Sequence, residues 1–468
     1  MDSKRTKIIC TVSDRMCNIE FIRSLYENGM NVVRINSAHA SIEGAQMIVD
    51  NVRQVSDRIA ILIDTKGPEV RLTRMTEGNG FSVSEGDLLN IYAEKDRLSS
   101  RTALYTNCDT FVDDVPVGAR ILIDDASVEL EVLGKSKDYL ECRVCNKGII
   151  IGNKSINVPD VHISLPSLTE KDKKFVRWAI SNDIDFIAHS FVRSKEDLTE
   201  LQSILDEAGS HIKIISKIEN QQGVDNLEEI LHYSYGIMIA RGDLGVEIPA
   251  ERIPLIQKEM VKKCRVYRKP VIIATQMLHS MIENPRPTRA EVTDIANAIF
   301  ERTDAIMLSG ETAGGRYPVE AVTMMNRIAS EAEKSLNVSL DLQLNEVLKP
   351  IAATLARNLV EATMQLPVKA IIFDTWTGRT GRYLAEFRPK VPIYAMCYQD
   401  FTVRELAMTF GICAYPFEIQ KSKEDMVKNA LKILIDDGKL IPGDLVGFIG
   451  GSFNDQLGAN YMEFKYVE

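Results

Sequence analysis

The 468-residue sequence lacks several features, and each absence excludes a class of protein. No window approaches the roughly 20 consecutive apolar residues of a transmembrane helix, and the segment from Met1 to Arg15 lacks the apolar stretch of a secretory signal peptide. Eight cysteines are too few for a disulfide scaffold in a chain of this length. The one close pair, Cys142 and Cys145, has no second pair or flanking histidines, which argues against a zinc or redox site. The sequence therefore predicts a cytoplasmic protein with reduced cysteines.

An excess of positive charge is also missing. Lys and Arg together number 56 and Asp and Glu 66, which gives a net charge of −10. Such a balance argues against a broad surface for nucleic acid or for an anionic membrane. We therefore expect neither partner, and any polyanionic ligand must be bound by a local basic cluster.

The hydrophobic pattern predicts a closed barrel of parallel strands. Short apolar runs alternate with amphipathic helical stretches, which indicates parallel strands joined by helices. A GxGxxG turn, usual in an open doubly wound sheet of this size, is absent. Eight such strands can close on themselves, so we predict an α/β fold with a (β/α)8 TIM barrel. The predicted strands are KIICTV, NVVRIN, IAILIDT, DFIAHS, KIISKI, GIMIA, PVIIAT and DAIML.

The alternation is interrupted once and is followed by a further unit. Between the third and fourth strands the sequence changes to short alternating strands punctuated by glycine, which predicts an inserted all-β barrel that acts as a lid. Near the C-terminus, KAIIFDT, PIYAMC and DLVGFIGGS indicate a separate α/β domain. We predict a barrel domain of residues 1–71 and 157–340, a lid of 72–156, and a C-terminal domain of 341–468.

Polar residues follow seven of the eight predicted strands. Barrel enzymes place their reactive groups at the carboxyl ends of the strands, so these residues are expected to converge at one rim. A lone Arg or Asp there would more often form a salt bridge or a loop cap, but seven strand ends together favour a site. The residues are Arg34, Asn36, Asp64, Thr65, Lys66, Ser190, Arg193, Lys217, Glu219, Arg241, Gly242, Asp243, Thr275, Gln276, Ser309, Gly310 and Glu311.

The residue types at this rim indicate a metal and a phosphate. Glu219 and Asp243 could supply oxygen ligands to one hard divalent ion, with water and phosphate completing its shell as Mg²⁺ prefers. Arg34, Arg71 and Lys217 would form a cationic collar for a phosphoryl group, and ARGDLG offers backbone N–H groups to an anion. The residues alone thus predict metal-assisted phosphoryl transfer or enolate chemistry on a small anionic substrate.

Five long segments resemble the pyruvate kinase family. They are IDTKGPEVR, KIISKIENQQGVDN, GIMIARGDLGVEIPAERIPLIQK, ATQMLHSMIENPRPTRAEVTDIANAIF and IMLSGETAGGRYPVEAV. The family's fold, a barrel with a β domain after strand three and a C-terminal α/β domain, agrees with the predicted organisation. The resemblance implies phosphoryl transfer from phosphoenolpyruvate to ADP, giving ATP and pyruvate.

The resemblance also assigns roles to the rim residues. It implies that Lys217 neutralises the phosphoryl group in flight and that Glu219 and Asp243 hold Mg²⁺ or Mn²⁺. It further implies that Arg34 binds the transferring phosphate and that the N–H groups of Gly242 and Asp243 bind the substrate carboxylate. Thr275, with Ser309 nearby, is implied to act on the side from which the enolate is protonated. The nucleotide is implied to bind at Arg71, His39 and Asn36.

The family also uses K⁺, and here the sequence departs from the family pattern. The matching ligands are Asn36, Asp64 and Thr65, but the fourth, a serine in the family, is Ala38. Ser37 points to the other side of an extended strand and does not replace it. Glu69 matches the members that require K⁺, so we expect a retained but weakened dependence.

The last domain carries a loop that resembles an effector site. The segment TWTGRTGR is similar to the loop that binds sugar phosphates in many family members, which implies a phosphorylated effector held by Thr375, Thr377, Gly378, Arg379 and Thr380. A plain strand-to-helix turn is the alternative. The later loop, IGGSFNDQLGANY, lacks the basic and aromatic groups that bind fructose 1,6-bisphosphate in some relatives. The family resemblance further implies a homotetramer.

Two other functions stay open from the sequence. One is a different barrel enzyme that acts on phosphoenolpyruvate or its enolate. Arg71 together with the inserted β domain argues against it, since a lid over a nucleotide has no purpose in such a reaction. The other is a catalytically silent metabolite or nucleotide sensor. Loss of a reactive residue would favour a sensor, but Lys217, Glu219, Asp243 and Thr275 are all present.

Overall fold

The computed structural model of the chain describes residues 4–341, 343, 347–451 and 458–468. Eight parallel strands form a closed barrel, as the hydrophobic pattern predicts. Each strand pairs with its neighbour along the barrel, and the first pairs with the last, with Lys7 opposite Ala305. The strands are β1 (Lys7–Thr11), β2 (Val32–Asn36), β3 (Ala60–Asp64), β12 (Phe186–His189), β13 (Lys213–Ile218), β14 (Gly236–Ala240), β15 (Val271–Ala274) and β16 (Ala305–Leu308).

The barrel strands are buried on both faces, which explains their nearly continuous apolar sequences. One set of side chains fills the barrel interior, among them Ile9, Phe186 and Met238. The other set packs under the surrounding helices. Met408 of the C-terminal domain joins the interior cluster, so this domain contributes to the core beneath the site.

Helices follow the barrel strands, and several begin at the capping residues that the sequence supplies. Thr169 and Asp172 form a capping box at α4, and Thr288 and Glu291 form another at α10. The helices are α1 (Ile19–Glu27), α2 (Ile42–Val55), α4 (Glu170–Ser181), α5 (Lys195–Glu207), α6 (Gln221–Asp225), α7 (Leu227–Tyr233), α8 (Arg241–Glu247), α9 (Ile253–Val266), α10 (Arg289–Phe300), α11 (Gly310–Ala313) and α12 (Pro318–Ala332).

The lid lies between β3 and β12 and is mainly β, as expected. Two of its strands form a sheet of their own, and the other six form a second sheet whose edge strands are β11 and β6. Residues 70–73 run between these two edges, as the predicted β barrel requires: the N–H of Ile156 donates to the carbonyl of Val70 at 2.8 Å, and the N–H of Thr73 donates to the carbonyl of Tyr105 at 2.9 Å. The elements are β4 (Gly80–Val83), β5 (Leu88–Tyr92), β6 (Ala103–Tyr105), α3 (Phe111–Asp114), β7 (Arg120–Ile123), β8 (Val128–Lys135), β9 (Tyr139–Val144), β10 (Gly148–Ile151) and β11 (Ile156–Asn157).

The C-terminal domain is an α/β sheet of five strands in the order β19-β18-β17-β20-β21. Only β21, at one edge, runs antiparallel to its neighbour. The elements are α13 (Pro350–Gln365), β17 (Val368–Thr375), α14 (Arg379–Glu386), β18 (Ile393–Cys397), α15 (Asp400–Glu405), β19 (Ile412–Pro416), α16 (Lys423–Asp436), β20 (Leu445–Gly450) and β21 (Tyr461–Tyr466). Short 3₁₀ turns occur at Ala250–Arg252, His279–Ile282, Glu333–Ser335 and Leu406–Met408. Within the described ranges, no helix has the length and apolar content needed to cross a membrane.

Candidate active site

Four charged side chains from neighbouring strands meet at the carboxyl end of the barrel. Arg34, at the end of β2, lies with its Nε 2.7 Å from Asp64 Oδ2 at the end of β3. Lys217 of β13 lies with its Nζ 3.2 Å from Asp64 Oδ1 and 2.9 Å from Glu219 Oε1. The structure therefore brings together two of the three predicted phosphate-binding cations and two of the predicted metal-ligating carboxylates.

The ionisation of this cluster is set by burial and by its opposite charges. Burial lowers the pKa of Lys217, but the attraction of Asp64 and Glu219 outweighs it and raises the pKa above its ordinary value. Burial raises the pKa of Asp64, yet Arg34 and Lys217 bring it below its usual range. At Glu219 burial raises the pKa and the positive charge of Lys217 lowers it. Burial prevails and, together with repulsion from Asp243, raises the pKa to about 7.

Glu219 fits a divalent metal ion by one observation: its Oε1 is buried and accepts no well-directed hydrogen bond among the described residues, although it lies beside Lys217 Nζ. The charge of Asp243 helps to raise the pKa of Glu219, and a cation bound by both carboxylates would offset that repulsion. Glu219 Oε2 is fixed by the backbone N–H of Phe191 at 2.8 Å. Two carboxylates leave the other positions of the shell to water and substrate oxygens, as Mg²⁺ prefers.

The predicted carboxylate cradle lies at the start of α8. The N–H of Gly242 donates to Thr275 Oγ1 at 2.8 Å, and that hydroxyl donates to the carbonyl of Ala274 at 2.6 Å. Thr275 has a φ of 68°, a left-handed conformation that is strained for a β-branched residue. Strain at this position is typical of a functional residue, and the bond shows that Thr275 and Gly242 share one site.

Ser309 follows β16, the barrel strand next to β15. Its Oγ is buried and has no hydrogen-bond partner within the described ranges. Its backbone N–H donates to Glu311 Oε2 at 2.8 Å. A buried hydroxyl without a partner is costly, so Ser309 Oγ is available to a water molecule or a substrate.

The predicted K⁺ ligands lie at the ends of β2 and β3 but are engaged with protein groups. Asn36 Oδ1 accepts the N–H of Ala38 at 3.0 Å. The backbone N–H of Ser190 donates to Thr65 Oγ1 at 3.0 Å, and the hydroxyl of Ser190 donates to the carbonyl of Thr65 at 2.7 Å. Ser37 is fully buried, and its hydroxyl has no partner among the described residues.

The nucleotide residues are only partly brought together. Arg71 and Asp243 line a cleft of about 540 Å³ between the lid and the barrel. Arg71 is held there by Glu69, at 2.8 Å from Nε, and by the carbonyl of Asn153, at 2.7 Å from Nη1. Neither Asn36 nor His39 lines this cleft, and His39 is exposed on the turn that follows β2.

Two residues to which the family resemblance assigned no role also lie at the site. Ser190 Oγ accepts a hydrogen bond from Lys217 Nζ at 2.8 Å, so it helps to fix the ammonium group. Its position after a barrel strand is the signal that could have assigned it. Lys154 lines the cleft and pairs with Asp124 at 2.9 Å. It lies in the lid, where strand-end reasoning about the barrel gives no signal.

The effector loop joins β17 to α14. Thr375 Oγ1 accepts the N–H groups of Thr377 at 3.2 Å and Gly378 at 2.8 Å, so both donors are engaged within the turn. Gly378 has a φ of 68°, and a Cβ there would lie 2.8 Å from a methyl of Leu406, so glycine is required. Arg379 and Thr380 begin α14 and are half-buried. Much of the segment IGGSFNDQLGANY, residues 452–457, lies outside the described residues.

The closed barrel, with cations and carboxylates at the carboxyl ends of its strands, defines the chain as a (β/α)8-barrel protein with the rim of an enzyme. Residues 3–322 match the model for the pyruvate kinase barrel domain, and residues 353–463 match that for its alpha/beta domain. The chain belongs to the pyruvate kinase family, whose members are phosphotransferases.

Individual relatives agree over almost the whole chain. The pyruvate kinase of Borreliella burgdorferi is 46% identical, with 100% of this chain and 98% of that protein covered. The pyruvate kinase of Bacillus licheniformis is 42% identical, with 99% and 80% covered. The crystal structure of a pyruvate kinase from Cryptosporidium parvum matches with a TM-score of 0.94 at 34% identity, over 99% of this chain and 96% of that one. These relatives favour a pyruvate kinase over the silent sensor and over another barrel enzyme.

Proposed function

We propose that this chain transfers the phosphoryl group of phosphoenolpyruvate to ADP, giving ATP and pyruvate, through the residues at the barrel rim. The observation that carries the proposal is the contact of Lys217 with both Asp64 and Glu219, beside Arg34. Two cations and two carboxylates at one point suit an anionic substrate and a metal ion together. In the reaction the bond from phosphorus to the enol oxygen breaks, a bond to the ADP β-phosphate oxygen forms, and the enolate then takes a proton at carbon.

Lys217 and Arg34 stabilise the transferring group in this proposal. A loose transition state spreads negative charge over the equatorial oxygens of the phosphoryl group, and fixed cations lower its energy. Lys217 is held by Ser190, Asp64 and Glu219, so its ammonium is already in position before substrate binds. Arg34 is fixed by Asp64 and by Thr11 Oγ1, 2.9 Å from its Nη1.

The substrate carboxylate binds at the N–H groups of Gly242 and Asp243. Binding there would release Gly242 N–H from Thr275 Oγ1. The freed hydroxyl, with Ser309, would then orient the water that protonates the enolate. Glu219 and Asp243 would hold Mg²⁺ or Mn²⁺, which supplies charge neutralisation to the substrate oxygens when bound.

The K⁺ site would be formed by Asn36, Asp64 and Thr65 with weakened affinity, since Ala38 offers no hydroxyl. Asn36 Oδ1, now bonded to Ala38 N–H, would have to turn toward the ion. We expect Ala38→Ser to lower the K⁺ concentration that half-saturates the protein, measured both by activity and by thermal unfolding in KCl against NaCl. An unchanged half-saturating concentration would contradict this role of Ala38.

Arg71 would bind the nucleotide phosphates from the lid side of the cleft, while His39 and Asn36, which do not line the cleft, would contact the nucleotide from the turn after β2. Arg71 would exchange its present contact with Glu69 for the phosphate. At the effector loop, Thr375, Thr377, Gly378, Arg379 and Thr380 would hold the phosphate of a sugar-phosphate effector. The homotetramer, the cytoplasmic location and the division at residues 71, 156 and 340 stay predictions.

One experiment tests the proposed function directly. Pyruvate formation from phosphoenolpyruvate and ADP is followed with Mg²⁺, first in potassium and then in sodium buffer. We expect turnover in both, higher in potassium. Absence of turnover in both buffers would contradict the proposal and favour the catalytically silent sensor instead.

A further inference from the structure

Arg241 lies at the barrel rim, but the proposed reaction gives it no role. It is the first residue of α8 and directly precedes Gly242, whose N–H is assigned to the substrate carboxylate. Its side chain is only 13% exposed, so the guanidinium is largely removed from water. A cation in such surroundings needs acceptors for its N–H groups, and the acceptors lie on two other elements of the barrel.

The first acceptor is Asp294 of α10. Nη1 of Arg241 donates to Asp294 Oδ1 and Nη2 donates to Oδ2, both at 2.8 Å. Two charge-assisted hydrogen bonds of this kind fix the plane of the guanidinium as well as its distance. The helix α10 is itself fixed at its start by the capping box of Thr288 and Glu291. Asp294 therefore gives the Arg241 side chain a rigid support.

The second acceptor is the backbone of the turn that follows β15. Nη2 of Arg241 donates to the carbonyl of Thr275 at 2.9 Å and lies 3.0 Å from Met277 Sδ. This turn is strained, because Thr275 has a φ of 68° and Gln276 a φ of 54°, and neither residue is glycine. Two left-handed residues in succession persist only where surrounding contacts impose them. Arg241 supplies such a contact at the peptide group that joins the two residues.

The start of α8 thus holds Thr275 at two points. The N–H of Gly242 donates to Thr275 Oγ1, while Arg241 holds the carbonyl of the same residue. In the proposed reaction the substrate carboxylate takes the N–H of Gly242, so the first bond is lost when phosphoenolpyruvate binds. The bond from Arg241 involves no atom that the substrate is proposed to contact, and it stays. It therefore acts at the stage of the reaction at which the Thr275 hydroxyl is needed.

The rest of the loop after β15 is anchored independently of Arg241. The N–H of Leu278 donates to Glu311 Oε1 at 3.1 Å. The N–H and the hydroxyl of Ser280 donate to the carboxylate of Glu291 at 2.7 and 2.6 Å. Loss of the Arg241 contact should therefore loosen residues 275–277 and leave the following residues in place.

We propose that Arg241 is a positioning residue that, together with Asp294, holds the left-handed turn at Thr275 and thereby keeps the Thr275 hydroxyl in place for protonation of the enolate. The inference rests on the proposed function, which assigns Thr275 to that proton transfer. It predicts that the protonation step depends on Arg241 whereas the binding of both substrates does not, because the other groups of the rim are unaltered.

The kinetic test uses Arg241→Lys, which keeps the positive charge and loses the planar fork. Displacement of the Thr275 hydroxyl is expected to lower kcat by about 10–100-fold, whereas KM for phosphoenolpyruvate and KM for ADP stay within about twofold. Asp294→Asn keeps one acceptor oxygen for the fork and should lower kcat by a smaller factor. Arg120→Lys, the same change in an exposed ion pair of the lid, is the matched control and should change none of these constants.

A second assay isolates the proton transfer. Removal of a methyl proton from pyruvate is the reverse of enolate protonation and uses the same groups. The wild type, given pyruvate, ATP and Mg²⁺, should therefore exchange the methyl protons of pyruvate with D₂O, which is followed by NMR. We expect Arg241→Lys to slow this exchange by about tenfold or more. An unchanged rate of methyl exchange, an unchanged kcat, or a rise in KM for phosphoenolpyruvate without a fall in kcat would each overturn the proposal.

A third readout needs no activity. Backbone amides of residues 275–277 are expected to exchange with deuterium faster in Arg241→Lys and in Asp294→Asn than in the wild type, and those of residues 278–281 at the wild-type rate. The double variant should exchange no faster than Arg241→Lys alone, because both changes break the same contact. Wild-type exchange at residues 275–277 in both variants would contradict the contact itself. If the wild type shows no turnover, the proposed function fails, while the amide exchange still decides whether Arg241 holds the turn.

Discussion

Replacing Lys217 by methionine removes the cation that contacts both buried carboxylates of the site. We expect Lys217→Met to fold and to lose phosphoryl transfer by about 10²–10³-fold or more, the usual effect of removing one preorganised charge-stabilising donor. The ammonium stabilises the transferring group in the transition state, and methionine has a similar length without the charge. Arg34 remains and cannot occupy the same point, because its guanidinium is held by Asp64 and Thr11.

The magnitude follows from the distances in the structure. Lys217 Nζ lies 2.9 Å from Glu219 Oε1 and 3.2 Å from Asp64 Oδ1; the Coulomb attraction of each pair is roughly 5 kcal/mol at an effective dielectric constant of about 20, before the cost of desolvation is subtracted. Without this attraction the pKa of Glu219, already about 7 because of burial, rises further. Glu219 would then be protonated at neutral pH and bind a divalent metal weakly, so the half-saturating Mg²⁺ concentration is also expected to rise.

The assay is pyruvate formation over a range of Mg²⁺ and pH, with folding checked by circular dichroism. Raising the pH should lower the half-saturating Mg²⁺ concentration of the variant, because Glu219 ionises, without restoring its turnover. Lys263→Met is the matched control, since Lys263 pairs with Glu228 at 2.9 Å on the surface and should change neither quantity. A Lys217→Met protein that keeps more than a tenth of wild-type turnover would refute the reasoning.

Three further predictions concern stability, each measured by unfolding in urea or heat. Ala126 has a φ of 64° in an exposed lid turn, so Ala126→Gly should stabilise the lid by about 0.5–1 kcal/mol, and no gain would contradict the strain. Ser37→Ala should stabilise the protein by about 1 kcal/mol, because it removes a buried hydroxyl that has no partner among the described residues; a loss of stability would show that the hydroxyl is satisfied. Burial lowers the pKa of His189, so below about pH 6.5 the unfolded chain takes up a proton that the folded chain does not. The free energy of unfolding therefore decreases as the pH is lowered. His189→Asn should lessen that fall between pH 7.5 and 5.5, and an identical fall would contradict it.

The apolar runs were sufficient to predict the barrel. Strands such as KIISKI and GIMIA are buried on both faces, and such strands appear in a sequence as short continuous apolar stretches. The strands of the lid alternate and were recognisable in the sequence, but their pairing was not. Its two edge strands, β11 and β6, are bridged by residues 70–73, which are distant from both in sequence. That pairing depends on contacts between distant segments, which local pattern does not report.

The site was predictable in its residues and not in its contacts. Placement after barrel strands pointed to Lys217, Glu219 and Asp243 without any coordinates. The bond between Thr275 and Gly242 was not visible, since it depends on a left-handed backbone at Thr275. Neither was the role of Lys154, which reaches the cleft from the lid.

The sequence by itself determined the strands, their order and the chemical groups at their ends, because hydrophobic periodicity and residue type are local properties. Only the tertiary structure decided which charges compensate one another. Asp64 has its pKa lowered by Arg34 and Lys217, while Glu219, beside the same lysine, has its pKa raised to about 7. Two carboxyl groups with one shared partner thus ionise differently, because burial and the distances to all surrounding charges set the energy of each, and these distances exist only in the folded chain.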